Sequence, residues 1–214
     1  MKETELARLA MVQEQIIKRG INDAAVIKAM QKVPRHKFIG ENSLSQAYED
    51  HPLPIGGGQT ISQPYMVALM TQSLELKGGE RVLEVGTGSG YQAAILAEIA
   101  KEVYSIERFA DLARKAEAVL SELNYSNVKI KIGDGTAGWS ETAPFDGIIV
   151  TAGAPEVPPS LVRQLAEGGK LVIPVGGKFM QTLSVFKKEG EELRQKDICG
   201  CVFVPLVGGE GWRD

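Results

Sequence analysis

The chain reads as an α/β protein: a doubly wound, mostly parallel sheet with helices on both faces, an N-terminal helical cap and a C-terminal antiparallel hairpin. Three observations predict this. From Gly78 onward, short apolar runs alternate with helical stretches, the mark of βαβ units. One run, Val82-Leu83-Glu84-Val85, leads straight into glycines at 86, 88 and 90 and then a helix. After residue 175 the alternation stops, and two apolar runs flank a charged turn centred on Gly190.

Each element has a local cause. Leu6, Leu9, Ala10, Gln13, Ile16 and Ile17 recur at helical spacing, and Gly20 stops the helix. Asp23 caps a second helix whose apolar face includes Val26, Ile27 and Met30, and Pro34 limits it. An irregular stretch runs from Phe38 to Gln63 and holds Pro52, Pro54 and Gly56-Gly57-Gly58. A loop that long in a compact domain is usually functional or mobile; an ordinary flexible linker is the alternative for the glycine run. Ser62-Gln63-Pro64 opens a third helix, with Pro64 in its first turn and Val67, Leu69, Met70 and Leu74 following. Strands are expected at 81–85, 102–106, 128–132, 145–150 and 170–175, and helices at 92–100, 110–123 and 160–165. The closing hairpin pairs 182–187 with 202–206. The cap and its loop occupy 1–59 and the α/β domain 60–214, within one compact unit.

Charge and composition narrow the function. Lys and Arg total 24 against 27 Asp and Glu, a net charge of −3, and no basic run occurs. A general nucleic-acid binder is basic on one face, so that class is excluded. No apolar stretch approaches the roughly 20 residues needed to span a bilayer. The acidic N-terminus lacks the apolar centre of a signal peptide, so a cytoplasmic chain is expected. His36 and His51 are far apart without ligand-spaced partners, and no metal site is expected. Cys199 and Cys201 share a strand face, but a reducing compartment argues against a structural disulfide.

The glycine turn is the most informative segment. Gly86, Gly88 and Gly90, with Thr87 and Ser89 between them, let a ligand touch the backbone at a helix N-terminus. A dinucleotide loop reads G-x-G-x-x-G. Here the third glycine comes one residue early, and Glu84 sits two residues before the first. A carboxylate there repels a pyrophosphate and suits a cationic ligand such as S-adenosyl-L-methionine. Glu107, ending the second strand, can accept from ribose hydroxyls, or it is an exposed acid paired with Arg108 or Arg114. Asp134, between Gly133 and Gly135, can accept from an adenine amino group, or it simply makes an Asp-Gly turn. Thr151-Ala152-Gly153-Ala154, ending the fourth strand, should border the reacting group. All these positions are carboxyl ends of parallel strands, where open α/β sheets bind ligands.

Glu84 through Gly90, Glu107, Asp134 and Phe145-Asp146-Gly147-Ile148-Ile149-Val150 resemble the ordered motifs of class I S-adenosylmethionine-dependent methyltransferases. Gly58-Gln59-Thr60-Ile61-Ser62-Gln63-Pro64-Tyr65-Met66-Val67-Ala68 resembles the signature of protein-L-isoaspartate O-methyltransferases. The resemblance continues through Val33-Pro34-Arg35-His36-Lys37-Phe38, Thr151-Ala152-Gly153-Ala154 and the segment from Leu165 to Gly176. It implies a Rossmann-like methyltransferase that repairs damaged proteins by methylating the free α-carboxylate of isoaspartyl residues. S-adenosyl-L-methionine is then the cofactor and S-adenosyl-L-homocysteine the product. Isoaspartyl proteins and peptides are the partners, and a monomer is expected. It implies a catalytic role for Ser62, beside the acceptor carboxylate, although Ser62 also stands where a helix N-cap is favoured. Thr60, Ile61, Thr151 and Ala152 are the implied substrate neighbours. Glu84, Gly86, Thr87, Gly88, Ser89, Glu107, Asp134 and Gly135 are the implied cofactor residues.

Overall fold

The computed structural model of the chain describes residues 3–213. Its centre is a seven-stranded sheet in the order β5-β4-β3-β6-β7-β8-β9. The strands are β3 (Arg81–Val85), β4 (Glu102–Glu107), β5 (Val128–Ile132), β6 (Phe145–Val150), β7 (Leu165–Gly176), β8 (Gln181–Glu189) and β9 (Glu192–Cys201). β3 runs parallel to both β4 and β6, and β7 continues the parallel set. β8 and β9 are antiparallel additions. A separate hairpin, β1 (Leu53–Gly56) with β2 (Gln59–Ile61), stands inside the stretch expected to be irregular. β2 straddles the boundary expected at 59/60.

Alternation along the strands builds two cores. Val82, Val103, Ile149 and Val172 face one side, against α1 (Glu3–Met11), α2 (Ala24–Lys32), α3 (Pro64–Leu74) and α4 (Tyr91–Ala97). Leu83, Ile106, Ile148 and Leu171 face the other, with Leu161 of α6 (Pro159–Gln164). α5 (Ala110–Glu122) packs Leu120 into the first core. The cap shares that core through Met11, Ile16, Val26 and Met30, so no solvent layer divides cap from sheet.

The caps follow the sequence closely in α2 and α3. Asp23 Oδ1 accepts the Ala25 and Val26 N–H groups at 2.9 and 3.0 Å. Pro64 occupies the first turn of α3. The first helix departs from expectation. After α1 the backbone widens to a π turn over Val12–Ile16, then tightens over Ile17–Arg19, ending at Gly20 with φ +95°. The wide turn rotates the face that packs inward, so Met11, Val12 and Ile16 are buried while Leu6, Ala10 and Gln13 are exposed.

The closing hairpin also differs. The partner of β8 is β9, joined by the tight Gly190 turn, with Glu189 opposite Glu192. Residues 202–206 are not a strand. The apolar pattern misled because β9 is a solvent-facing edge carrying Glu192, Arg194, Lys196 and Asp197, a charged protection usual for edge strands. Residues 202–206 instead turn back over the strand ends, where Gly153 N donates to Val204 O at 2.8 Å and Leu206 N to Gly153 O at 2.8 Å. β7 begins five residues earlier than expected, with a register irregularity against β6 between Phe145 and Gly147.

Candidate active site

β3 feeds toward β4 on one side of the sheet, while β6 feeds toward β7 on the other. The strand order reverses between β3 and β6, which opens a crevice at their carboxyl ends. Thr151 stitches that crevice: its N–H donates to Val85 O at 2.9 Å and its hydroxyl to Gly86 O at 2.7 Å. Gly86 is obligatory here. Its φ is +98°, and an added Cβ would land on the Thr151 hydroxyl. A Cβ on Gly135 would likewise strike Val85.

A cavity occupies the crevice. Gly86, Gly88, Glu107 and Gly135 form its strand-end wall, and Thr151 and Ala152 its far side. Ile106 and Phe109 supply apolar surface, while Val204, Leu206 and Val207 close it from the tail. Glu107 is buried, only 6% exposed. Its Oε2 accepts Gly88 N–H at 2.8 Å and its Oε1 accepts Phe109 N–H at 2.9 Å. The exposed-acid alternative therefore does not describe Glu107; Arg114 pairs with Asp111.

Four of the expected cofactor residues are placed otherwise. Glu84 is 0% exposed and has no surface in the cavity. The Ser105 hydroxyl donates to Glu84 Oε2, and Thr87 bonds Ser105 in turn, so Thr87 is also spent behind the loop. Glu84 Oε1 is buried without a partner among the described residues. Burial pushes the Glu84 carboxyl up to about 8, opposed by the Ser105 bond and aided by nearby Glu107. Ser89 lies on the far side of the loop, its hydroxyl accepting Tyr91 N–H at 3.3 Å. Asp134 caps a 3₁₀ turn, accepting Thr136 N–H at 2.9 Å and the Thr136 hydroxyl at 2.7 Å, and its Oδ2 accepts Gly209 N–H at 2.8 Å. Burial works against that charge, but the bonds from Gly209 and Thr136 outweigh it and hold the carboxyl below its usual range. Asp134 thus fastens the tail while its neighbour Gly135 lines the cavity.

A second cavity adjoins the first. Ser62, Tyr65 and Met66 line one side and Cys199, Cys201 and Phe203 the other. Thr60, Thr151 and Val204 belong to both cavities. Two molecules seated in the two cavities would meet at Thr60 and Thr151, the arrangement a group transfer needs. Ser62 is not the cap of α3. Gln63 holds that position and its side chain makes no capping bond. Ile61 points into the core, 4% exposed, and lines neither cavity.

The sequence matches the family described as protein-L-isoaspartate(D-aspartate) O-methyltransferase over residues 7–211. The chain belongs to this family. A protein-L-isoaspartate O-methyltransferase of Geobacter metallireducens is 60% identical over 209 residues, covering 97% of this chain and 97% of its own length. Another, from Geotalea uraniireducens, is 58% identical, covering 99% of this chain and 98% of its own. A solved Plasmodium falciparum structure, a proposed member of the family in complex with S-adenosyl-L-homocysteine, superposes with a TM-score of 0.81 at 30% identity, over 94% of this chain and 98% of its own. A further solved protein-L-isoaspartate O-methyltransferase gives 0.85 at 32% identity over 96% of this chain, which spans 66% of that structure's length.

Among the residues lining the first cavity, Val204, Leu206 and Val207 went unseen in the sequence. The sequence showed only an apolar run at 202–206, which reads equally as a strand; in the structure Val202 is 73% exposed. Among the described residues no helix is long and apolar enough to cross a membrane.

Proposed function

We propose that this chain transfers a methyl group from S-adenosyl-L-methionine to the free α-carboxylate of L-isoaspartyl residues in damaged proteins and peptides. The ester closes to a succinimide, whose hydrolysis returns some normal aspartyl linkage. The observation that carries this reading is the meeting of two cavities at Thr60 and Thr151, one behind a glycine-walled strand end and one beside Ser62. We extend the proposal to a cytoplasmic monomer.

The first cavity suits the cofactor. Gly86 and Gly135 present bare backbone to it, at positions where an added Cβ would strike Thr151 and Val85. Glu107 keeps oxygen lone pairs for the ribose beyond the two backbone bonds it accepts. Ile106 and Phe109 offer apolar faces to the adenine. Glu84 lies behind the loop without contact to the ligand; burial raises its carboxyl to about 8, and a cationic sulfur nearby favours its ionised form. When bound, the cofactor supplies a methyl on a positively charged sulfur.

The second cavity takes the acceptor. A free α-carboxylate has a pKa of about 3.3–3.7 and is already ionised at pH 7. No general base is required, so His36 and His51 need no part. Catalysis is then mostly placement, for which good orientation can supply on the order of 7–11 kcal/mol. Ser62 donates a hydrogen bond to the acceptor and fixes its angle, and Thr60 and Thr151 border the reacting centre.

The test offers labelled S-adenosyl-L-methionine with two peptides differing only in an isoaspartyl or aspartyl linkage. Label is expected in the isoaspartyl peptide alone. Equal labelling of both, or of neither, refutes the proposal.

A further inference from the structure

The amide N–H groups at the start of a helix need acceptors. In α3 the first helical residue is Pro64, which has no N–H, and Gln63 caps nothing with its side chain. The next amide, Tyr65 N–H, is taken by Asp50 Oδ1 at 2.9 Å, from a loop fifteen residues earlier. Asp50 Oδ2 accepts the Gln63 side-chain amide at 3.2 Å and pairs with Arg19, which leaves the 3₁₀ turn before Gly20. The Arg19 guanidinium lies over the Tyr65 ring, 3.5 Å from its centroid. The Asp50 side chain is only 18% exposed, so this is an enclosed carboxylate at the positive end of an eleven-residue helix.

Ser62 is the residue the sequence offers for that capping role, and the fold does not use it. We propose that Asp50 is a positioning residue for methyl transfer: it caps α3 from a distant segment and so leaves the Ser62 hydroxyl to the acceptor. Arg19 and Tyr65 hold the Asp50 carboxylate in register with the helix. Without Asp50, Tyr65 N–H loses its acceptor, and Ser62, three residues earlier at the spacing a capping hydroxyl uses, is drawn to that amide; a serine spent on the backbone no longer aligns the substrate. The inference rests on the acceptor role proposed above for Ser62, and its test separates the two.

The experiment compares Asp50→Ala and Asp50→Asn, each with Ser62 and with Ser62→Ala, using an isoaspartyl peptide. Asp50→Ala is expected to lower kcat 10- to 100-fold, with affinity for S-adenosyl-L-homocysteine changed less than twofold by calorimetry. Asn also caps helices well, so Asp50→Asn is expected to stay within about threefold of the parent. It keeps the side-chain shape and folds even if Asp50→Ala does not. In the Ser62→Ala background, neither change at Asp50 should lower kcat more than about threefold further. Losses that multiply independently, or Asp50→Asn as slow as Asp50→Ala, overturn the proposal. If Ser62→Ala alone leaves kcat unchanged, the acceptor role of Ser62 fails. The capping claim then stands on hydrogen exchange at the Tyr65 amide: faster exchange in Asp50→Ala than in Asp50→Asn supports it, and equal rates refute it.

Discussion

Glu107 accepts the backbone N–H of Gly88 at 2.8 Å, so the acid ending one strand holds the glycine turn ending its neighbour. The same carboxylate that would meet a ribose also sets the loop that shapes the cavity. Glu107→Ala should therefore weaken S-adenosyl-L-homocysteine binding more than loss of one contact would. A hydrogen bond to a charged group is worth about 1.5–3 kcal/mol, so losses of roughly 10- to 100-fold per bond are expected. Isothermal calorimetry measures this directly. Unchanged affinity would remove Glu107 from the cofactor site.

Ser62 borders the second cavity and not the first. Ser62→Ala should accordingly lower kcat by about 10- to 100-fold, the worth of one hydrogen bond to a charged acceptor. Affinity for S-adenosyl-L-homocysteine should be unaltered. Residual activity is expected because the acceptor is ionised without help and the two cavities still align the reactants. A loss of cofactor binding in this variant would contradict the assignment.

The sequence carried the strand-turn-helix at Gly86 because the cause is local: an apolar strand, glycines needing positive φ, and an acid at each strand end. It also carried Asp23 as a cap, since donor and acceptor lie two and three residues apart. What it hid depends on distance. Asp50 serves α3 across fifteen residues with no periodic pattern to show it. Asp134 bonds Gly209 across 75 residues, so its part in fastening the tail had no local sign in the sequence. The Val204–Leu206 closure looked like a strand because an apolar run alone cannot distinguish a sheet core from a cavity wall.

Burial raises the Glu84 carboxyl to about 8, against about 4.5 for an ordinary glutamate. In the folded chain it stays protonated where the unfolded chain ionises. Stability contributed by this group is then full below about pH 4.5 and falls as pH rises to about 8, by at most about 1.4 kcal/mol per pH unit. Glu84→Gln should flatten that fall in chemical denaturation measured between pH 5 and 8. A cationic ligand nearby favours the ionised form. Binding S-adenosyl-L-methionine near pH 7 should therefore release protons, seen as a buffer-dependent heat in calorimetry, and Glu84→Gln should abolish that release. Identical heats in buffers of different ionisation enthalpy would show that Glu84 does not sense the ligand.

Cys199 and Cys201 line the acceptor cavity and not the cofactor cavity. Burial pushes the Cys201 thiol up to about 11, helped by Cys199, and burial raises Cys199 as well. Thiolate is the reactive form, so alkylation at pH 7 should be much slower than for a free cysteine and should quicken about tenfold per pH unit up to pH 9. An alkyl group at either position fills space on the acceptor side alone. Mass spectrometry should find that an isoaspartyl peptide protects both thiols. The alkylated chain should lose peptide methylation while still binding S-adenosyl-L-homocysteine within twofold. Rapid labelling at pH 7, or loss of cofactor affinity on labelling, would contradict the separation of the two cavities on which the assignment of Ser62 depends.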